Sequence, residues 1–163
     1  MPISAEQLRE AFLTPQLRCY FARKLEHLEA DELDARLDET LKFLNMAVFC
    51  EGSIPVSQDI DDIWHLWILE TREYSRLCAG LEGRTYIHHS SNVFAECAGD
   101  DVEVPENTLE QDVAALAVYV RNYGPFAADR IRFWPLAAHL VEALGMTVDD
   151  LNAWLLREQV VAA

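Results

Sequence analysis

Apolar residues return every three or four positions along most of this chain, and that period admits amphipathic helices and little else. Each periodic stretch is preceded by a residue that starts helices. Ser4-Ala5-Glu6-Gln7 has the spacing of a capping box and opens a short helix toward Leu13. Thr14-Pro15 places a capping hydroxyl before a proline at the first helical position. The stretch behind it carries Leu17, Tyr20, Phe21, Lys24, Leu25 and Leu28. Asp31 or Asp34 opens a third helix, whose core face is Leu33, Leu37, Leu41, Leu44 and Val48. After Gly52-Ser53-Ile54-Pro55, the acids of Ser57-Gln58-Asp59-Ile60-Asp61-Asp62 suit the positive end of a helix dipole and start a fourth helix running to about Cys78. Ile60, Ile63, Trp64, Leu66, Trp67, Ile68 and Leu69 make its first half apolar nearly all round, which predicts a central, buried helix.

The period lapses over about 80–107, where Gly80, Gly83, Gly99, Pro105 and Ser90-Ser91-Asn92 fall, with Thr85 to His88 as a short extended piece. So long a stretch without helix is uncommon in a compact domain and is often functional. Thr108-Leu109-Glu110-Gln111 then restarts a helix with a second capping box, reaching about Tyr123 before Gly124-Pro125. Ile131 to Pro135 reads as an aromatic turn, Leu136–Leu144 as a helix ended by Gly145, and Thr147 as the cap of a last helix to about Gln159. The expected fold is all-α, an irregular bundle of six or seven helices over 1–163 as one domain, with one long irregular segment in its middle.

Charge removes several function classes. Lys and Arg total 13 against 28 Asp and Glu, a formal net charge of −15. Sequence-independent nucleic-acid binding needs cations to neutralise phosphates, and anionic lipid repels such a surface. No apolar run reaches the roughly 18–20 residues of a membrane span, and Met1-Pro2-Ile3-Ser4 has no secretory character. A soluble cytoplasmic protein is expected, with reduced thiols. Cys19, Cys50, Cys78 and Cys97 form no C-x-x-C pair, and three of them fall in apolar helical stretches as small hydrophobes. No nucleophile elbow or phosphate loop is present, and Cys78 reads as buried rather than nucleophilic.

The residues that can carry chemistry gather around one helix. Asp61 and His65, four apart, are neighbours on a helical face. On a continuous helix Trp64, Ile68, Thr71, Arg72, Ser75 and Cys78 share that face, which is unusually polar for a buried element. A histidine from His88-His89 then supplies a third ligand to a divalent ion. The ion is zinc or iron by preference, with copper and manganese also compatible with imidazole and carboxylate. Asp61, His65, His88 and His89 are the candidate ligands, with Trp64, Thr71, Arg72, Tyr74 and Cys78 in support. In an extended segment successive side chains point to opposite sides, so only one of His88 and His89 faces the ion. The alternative is a fixed hydrogen-bond network in which Asp61 holds His65 and Trp64 fills the core.

Ile60-Asp61-Asp62-Ile63-Trp64-His65, followed by Thr71, Tyr74, Cys78 and Ile87-His88-His89, resembles the family named after plant glycine-rich domain-containing proteins. That family carries a D-x-x-W-H segment, a Thr and a Tyr on the same helix, and a His pair shortly after. Tyr119, Tyr123-Gly124 and Trp134-Pro135 resemble its later motifs, so the likeness covers about residues 40 to 136. Many members place a proline just after the His pair, where this chain has Ser90-Ser91-Asn92. The resemblance implies that Asp61, Trp64, His65, Thr71, Tyr74, His88 and His89 act as one unit. Plant members with additional regions have been discussed as RNA-associated, but this chain lacks a glycine-rich tail and its charge opposes that role.

Two functions follow as expectations. One is a small metalloprotein, with catalysis left open, acting on a neutral or cationic small molecule or peptide. The other is a non-catalytic module that binds a basic protein through acids such as those from Asp31 to Glu39.

Overall fold

The computed structural model of the chain describes residues 3–50, 52–89, 97 and 107–161, with side chains through Arg157 in the last stretch. Among these residues there are eight α-helices, one 3-10 turn and no strand: α1 Ala5–Phe12, α2 Pro15–Lys24, α3 Ala30–Met46, α4 Gln58–Leu69, α5 Thr71–Gly80, α6 Leu109–Tyr123, the 3-10 turn Ile131–Phe133, α7 Pro135–Leu144 and α8 Val148–Val161. The all-α reading therefore holds. The Ser90-Ser91-Asn92 cluster, Gly99, Asp100, Asp101, Pro105 and the acids from Glu96 to Glu106 lie outside the described residues.

The helix starts form as their caps dictate. Ser4 and Thr108 each complete a reciprocal capping box, with Gln7 and Gln111. The Thr14 hydroxyl accepts from the Leu17 amide, and Thr147 exchanges hydrogen bonds with Asp150. α3 departs from expectation. It begins after Glu29, without a side-chain cap, so Asp31 and Glu32 sit in its first turn and act through the dipole instead. Gly145 ends α7 in the left-handed region at φ 60°. A Cβ there meets nothing within 4 Å, so Gly145→Ala adds backbone strain alone. It is expected to cost about 1 kcal/mol, read as a lower denaturant midpoint at unchanged slope; an unchanged midpoint would contradict the strained cap.

α3 is the central element, packed against α1, α2, α4 and α6, while α6 and α8 pair at the other side. One continuous cluster of buried side chains runs from Leu8 on α1 to Leu155 on α8. No described helix is long and apolar enough to cross a membrane.

The largest correction concerns the helix expected from Ser57 to Cys78. It breaks at Glu70, whose backbone leaves the helical region at φ −87° and ψ 66°. The Glu70 amide closes back on the Trp67 carbonyl, and its own carbonyl accepts from Tyr74 to start α5. This break supplies the eighth helix and ends the shared face on which Thr71, Arg72, Ser75 and Cys78 were placed. Nor is α4 buried all round. Ile60, Ile63 and Trp67 enter the core, whereas Asp62, His65 and Leu69 face solvent, Leu69 at 68% exposure.

Candidate metal centre

α4 carries Asp61 in its first turn and His65 one turn later. The His65 Nδ1 stands 2.8 Å from the Asp61 carbonyl oxygen and 3.2 Å from its carboxylate Oδ2. From the far side, His89 brings Nε2 to 2.8 Å from Asp61 Oδ1. The two imidazole rings touch, with centroids 4.1 Å apart. One ligand atom from each of Asp61, His65 and His89 lies within 4.8 Å of the others. The His65 side chain is 48% exposed and that of His89 only 12%. The cluster therefore has one sheltered wall and one open side.

His89 reaches Asp61 because the chain after α5 turns back. Leu81 to Arg84 closes a turn, with the Arg84 amide on the Leu81 carbonyl and Arg84 itself at φ 47°. Residues 84–89 then run without regular secondary structure, exposed through Tyr86 and alternating in exposure over 86–89. Ile87 and His89 face inward, while His88 faces solvent against the Tyr86 ring, centroids 5.0 Å apart. The alternation selects His89 over His88, and His88 is not brought to the cluster.

Trp64 and Tyr74 form the sheltered wall. The Trp64 indole N–H donates to the Tyr74 hydroxyl at 2.8 Å, and that hydroxyl donates to the Ile87 carbonyl at 2.6 Å. On a continuous helix these two residues, ten apart, would stand about 15 Å apart along the axis; the break at Glu70 folds α5 back and makes the contact. The Trp64 ring also stands edge-on between Phe43 and His89. Burial pushes the Tyr74 pKa well above the ordinary phenol value, the Trp64 hydrogen bond pulls the other way, and Cys78 and Tyr86 add to the rise. Of the supporting residues, Trp64 touches His89, Tyr74 bonds Trp64, and the buried Cys78 lies beside Tyr74. Thr71 and Arg72 are exposed on the first turn of α5, beyond the break.

Chemically the trio fits a divalent ion. Bonds of about 2.0–2.2 Å hold neighbouring ligands about 3.0–3.5 Å apart. A small side-chain swing closes the triangle, and half-exposed His65 has room for it. Two imidazoles and one carboxylate leave further coordination positions facing solvent.

A second polar cluster was not anticipated. Glu39, expected on an acidic surface, is fully buried on α3. Its Oε1 pairs with Lys42 Nζ at 2.6 Å, and its Oε2 accepts from the Tyr119 hydroxyl at 3.1 Å and the Trp134 indole at 2.8 Å. Lys42 also donates to the Tyr119 hydroxyl at 2.9 Å, and Asn45 donates to that of Tyr123 at 2.7 Å. Burial raises the Tyr119 pKa, with Glu39 adding to it; burial pushes Tyr123 up to about 12, with Asn45 opposing. The neighbouring acids are engaged too. Asp34 and Asp38 pair with Arg18 and Arg9, and Glu32 pairs with Arg36 and Arg132. Glu32, Asp34, Asp38 and Glu39 of that run are therefore tied within the chain, while Asp31 is exposed. The available signal was helical register, since Glu39 falls four after Ala35 and four before Phe43, both buried.

The four cysteines are free; Cys78 is buried and Cys50 half-buried, but Cys19 is exposed on the outer side of α2, against the expectation of an apolar setting. Cys97 is also exposed. Comparison with protein-family models, with curated proteins and with solved structures finds no match to this chain.

Proposed function

We propose that this chain is a small helical metalloprotein that binds one divalent ion through Asp61, His65 and His89. The observation that carries the reading is the convergence of three ligand-type atoms within 4.8 Å, two from one helix turn and one from a distant segment. Zinc and iron(II) are the leading ions for two imidazoles and a carboxylate. A zinc ion with open positions would activate water or polarise a carbonyl, and a site with one side open to solvent admits a small molecule or peptide. The net charge of −15 favours neutral or cationic ligands. Kinship with the glycine-rich domain-containing family belongs to the same proposal, since Asp61, Trp64, His65, Tyr74 and His89 of its motif are the residues that meet.

The test is metal analysis of untagged protein, followed by titration of chelator-treated protein with zinc, iron(II) and manganese. One ion per chain is expected, with a rise in Tm as bound ion favours the folded state. His89→Ala and Asp61→Ala are expected to abolish binding. No stoichiometric metal and no change in Tm with any of the three ions would sink the proposal.

A second reading has its own observation: the Asp61–His89 hydrogen bond is a complete contact by itself. On that reading the cluster pins residues 84–89 to α4 in a non-catalytic protein-binding module. Exposed His65 distinguishes the two. His65→Ala weakens metal binding under the first reading and leaves stability unchanged under the second, because a half-exposed imidazole contributes little to folding.

A further inference from the structure

We infer that Tyr74 is the positioning residue of the metal centre: its hydroxyl, oriented by Trp64, sets where His89 stands relative to Asp61. The inference rests on the metal reading of Asp61, His65 and His89. Two of those ligands ride on α4 and need no further support. The third does not. Among the described residues, no backbone–backbone hydrogen bond holds 85–89, so the place of His89 depends on side chains. Apart from the contacts of the His89 ring itself, the hydrogen bond nearest to it in sequence is the 2.6 Å bond from Tyr74 to the Ile87 carbonyl, two residues before the ligand.

A phenol hydroxyl has one proton and can accept as well as donate. The Trp64 N–H approaches the Tyr74 oxygen at 2.8 Å and uses it as an acceptor, which leaves the hydroxyl proton for Ile87. Trp64 belongs to α4, three residues after Asp61 and next to His65, and its ring stands 4.5 Å from that of His89. The helix that supplies two ligands thereby fixes the third, through one hydroxyl from α5. Tyr74 itself is fully buried and its hydroxyl is engaged by Trp64 and Ile87, so it holds the site without being a ligand. Outer partners of this kind typically change metal affinity 10–100-fold when lost.

Tyr74→Phe removes the hydroxyl and keeps the ring that fills the core. Zinc and cobalt(II) titrations of this variant are expected to show affinity weakened by about 10–100-fold. The visible absorption of the cobalt(II) form should shift from that of the unaltered protein, a change that lost stability alone does not produce. Wild-type affinity with a wild-type cobalt spectrum overturns the inference. Should Tyr74→Phe not fold, Trp64→Phe decides, because it removes the orienting N–H; its affinity must fall as well. If the unaltered chain takes up no metal, the metal reading fails by itself. Tyr74 is then judged in the metal-free protein by imidazole nitrogen NMR. Loss of the His89–Asp61 hydrogen-bond signature in Tyr74→Phe supports the positioning role, and its persistence refutes it.

Discussion

Glu39→Ala is expected to lower the stability of this protein by about 3–5 kcal/mol, the cost of breaking a buried ion pair by removing one partner. At this chain length that is a fall in Tm of roughly 10–15 °C. Glu39 is fully buried, and its two oxygens serve Lys42, Tyr119 and Trp134. Its removal strands a largely buried ammonium and takes the acceptor from an indole N–H and a phenol at once. Lys42→Met should cost less. The carboxylate it leaves behind keeps two donors, and a Lys stem replaced by Met preserves most of the packing. Denaturant unfolding of both variants and the double variant closes a cycle, with coupling expected because the residues share one network. A loss below about 1 kcal/mol in Glu39→Ala would mean that this cluster is incidental to folding.

The second large effect is a cooperative alkaline transition. Tyr74, Tyr119 and Tyr123 all have folded-state pKa values raised above the ordinary phenol value of 10.0, chiefly by burial. The protonated phenol is the neutral form, so burial protects it. In the unfolded chain the same groups ionise near their ordinary value. Their contribution to stability is therefore complete below pH 10 and is lost as pH rises from there through the folded values. For Tyr123 alone, the interval from 10.0 to about 12 corresponds to about 2–3 kcal/mol. With three such residues, tyrosinate absorbance is expected to rise together with collapse of the near-UV circular dichroism signal between pH 10 and 12. Ionisation of all the tyrosines near pH 10 with that signal intact would show that these hydroxyls are not sheltered.

Local chemistry made most of the fold legible. Ser4, Thr14, Thr108 and Thr147 begin helices where their side chains satisfy amides, a relation between residues three apart that a sequence displays directly. The break at Glu70 was not legible, because no glycine, proline or capping side chain marks it; it follows from how α5 packs back on α4. The same holds for Glu39, whose partners lie 80 or more residues away except for Lys42. At the site, Asp61 with His65 was readable from helical spacing. His89 over His88 was readable only as an alternation without a sign, and the turn at Leu81–Arg84 supplies the sign. Thr71 and Arg72 were placed wrongly for one reason, the assumption of an unbroken helix.

The break at Glu70 also acts as a ruler. A residue inserted between Glu70 and Thr71 would turn α5 by about 100° about its axis and carry the Tyr74 hydroxyl off Trp64. A residue inserted among 82–85 would disturb the turn that decides which of His88 and His89 faces Asp61, and Gly83 in that turn lies close against Val48. The length of this protein is therefore constrained between Tyr74 and the inward-facing histidine as well. Nor can the interval from Asp61 to Tyr74 change without dismantling the joint that both helices share.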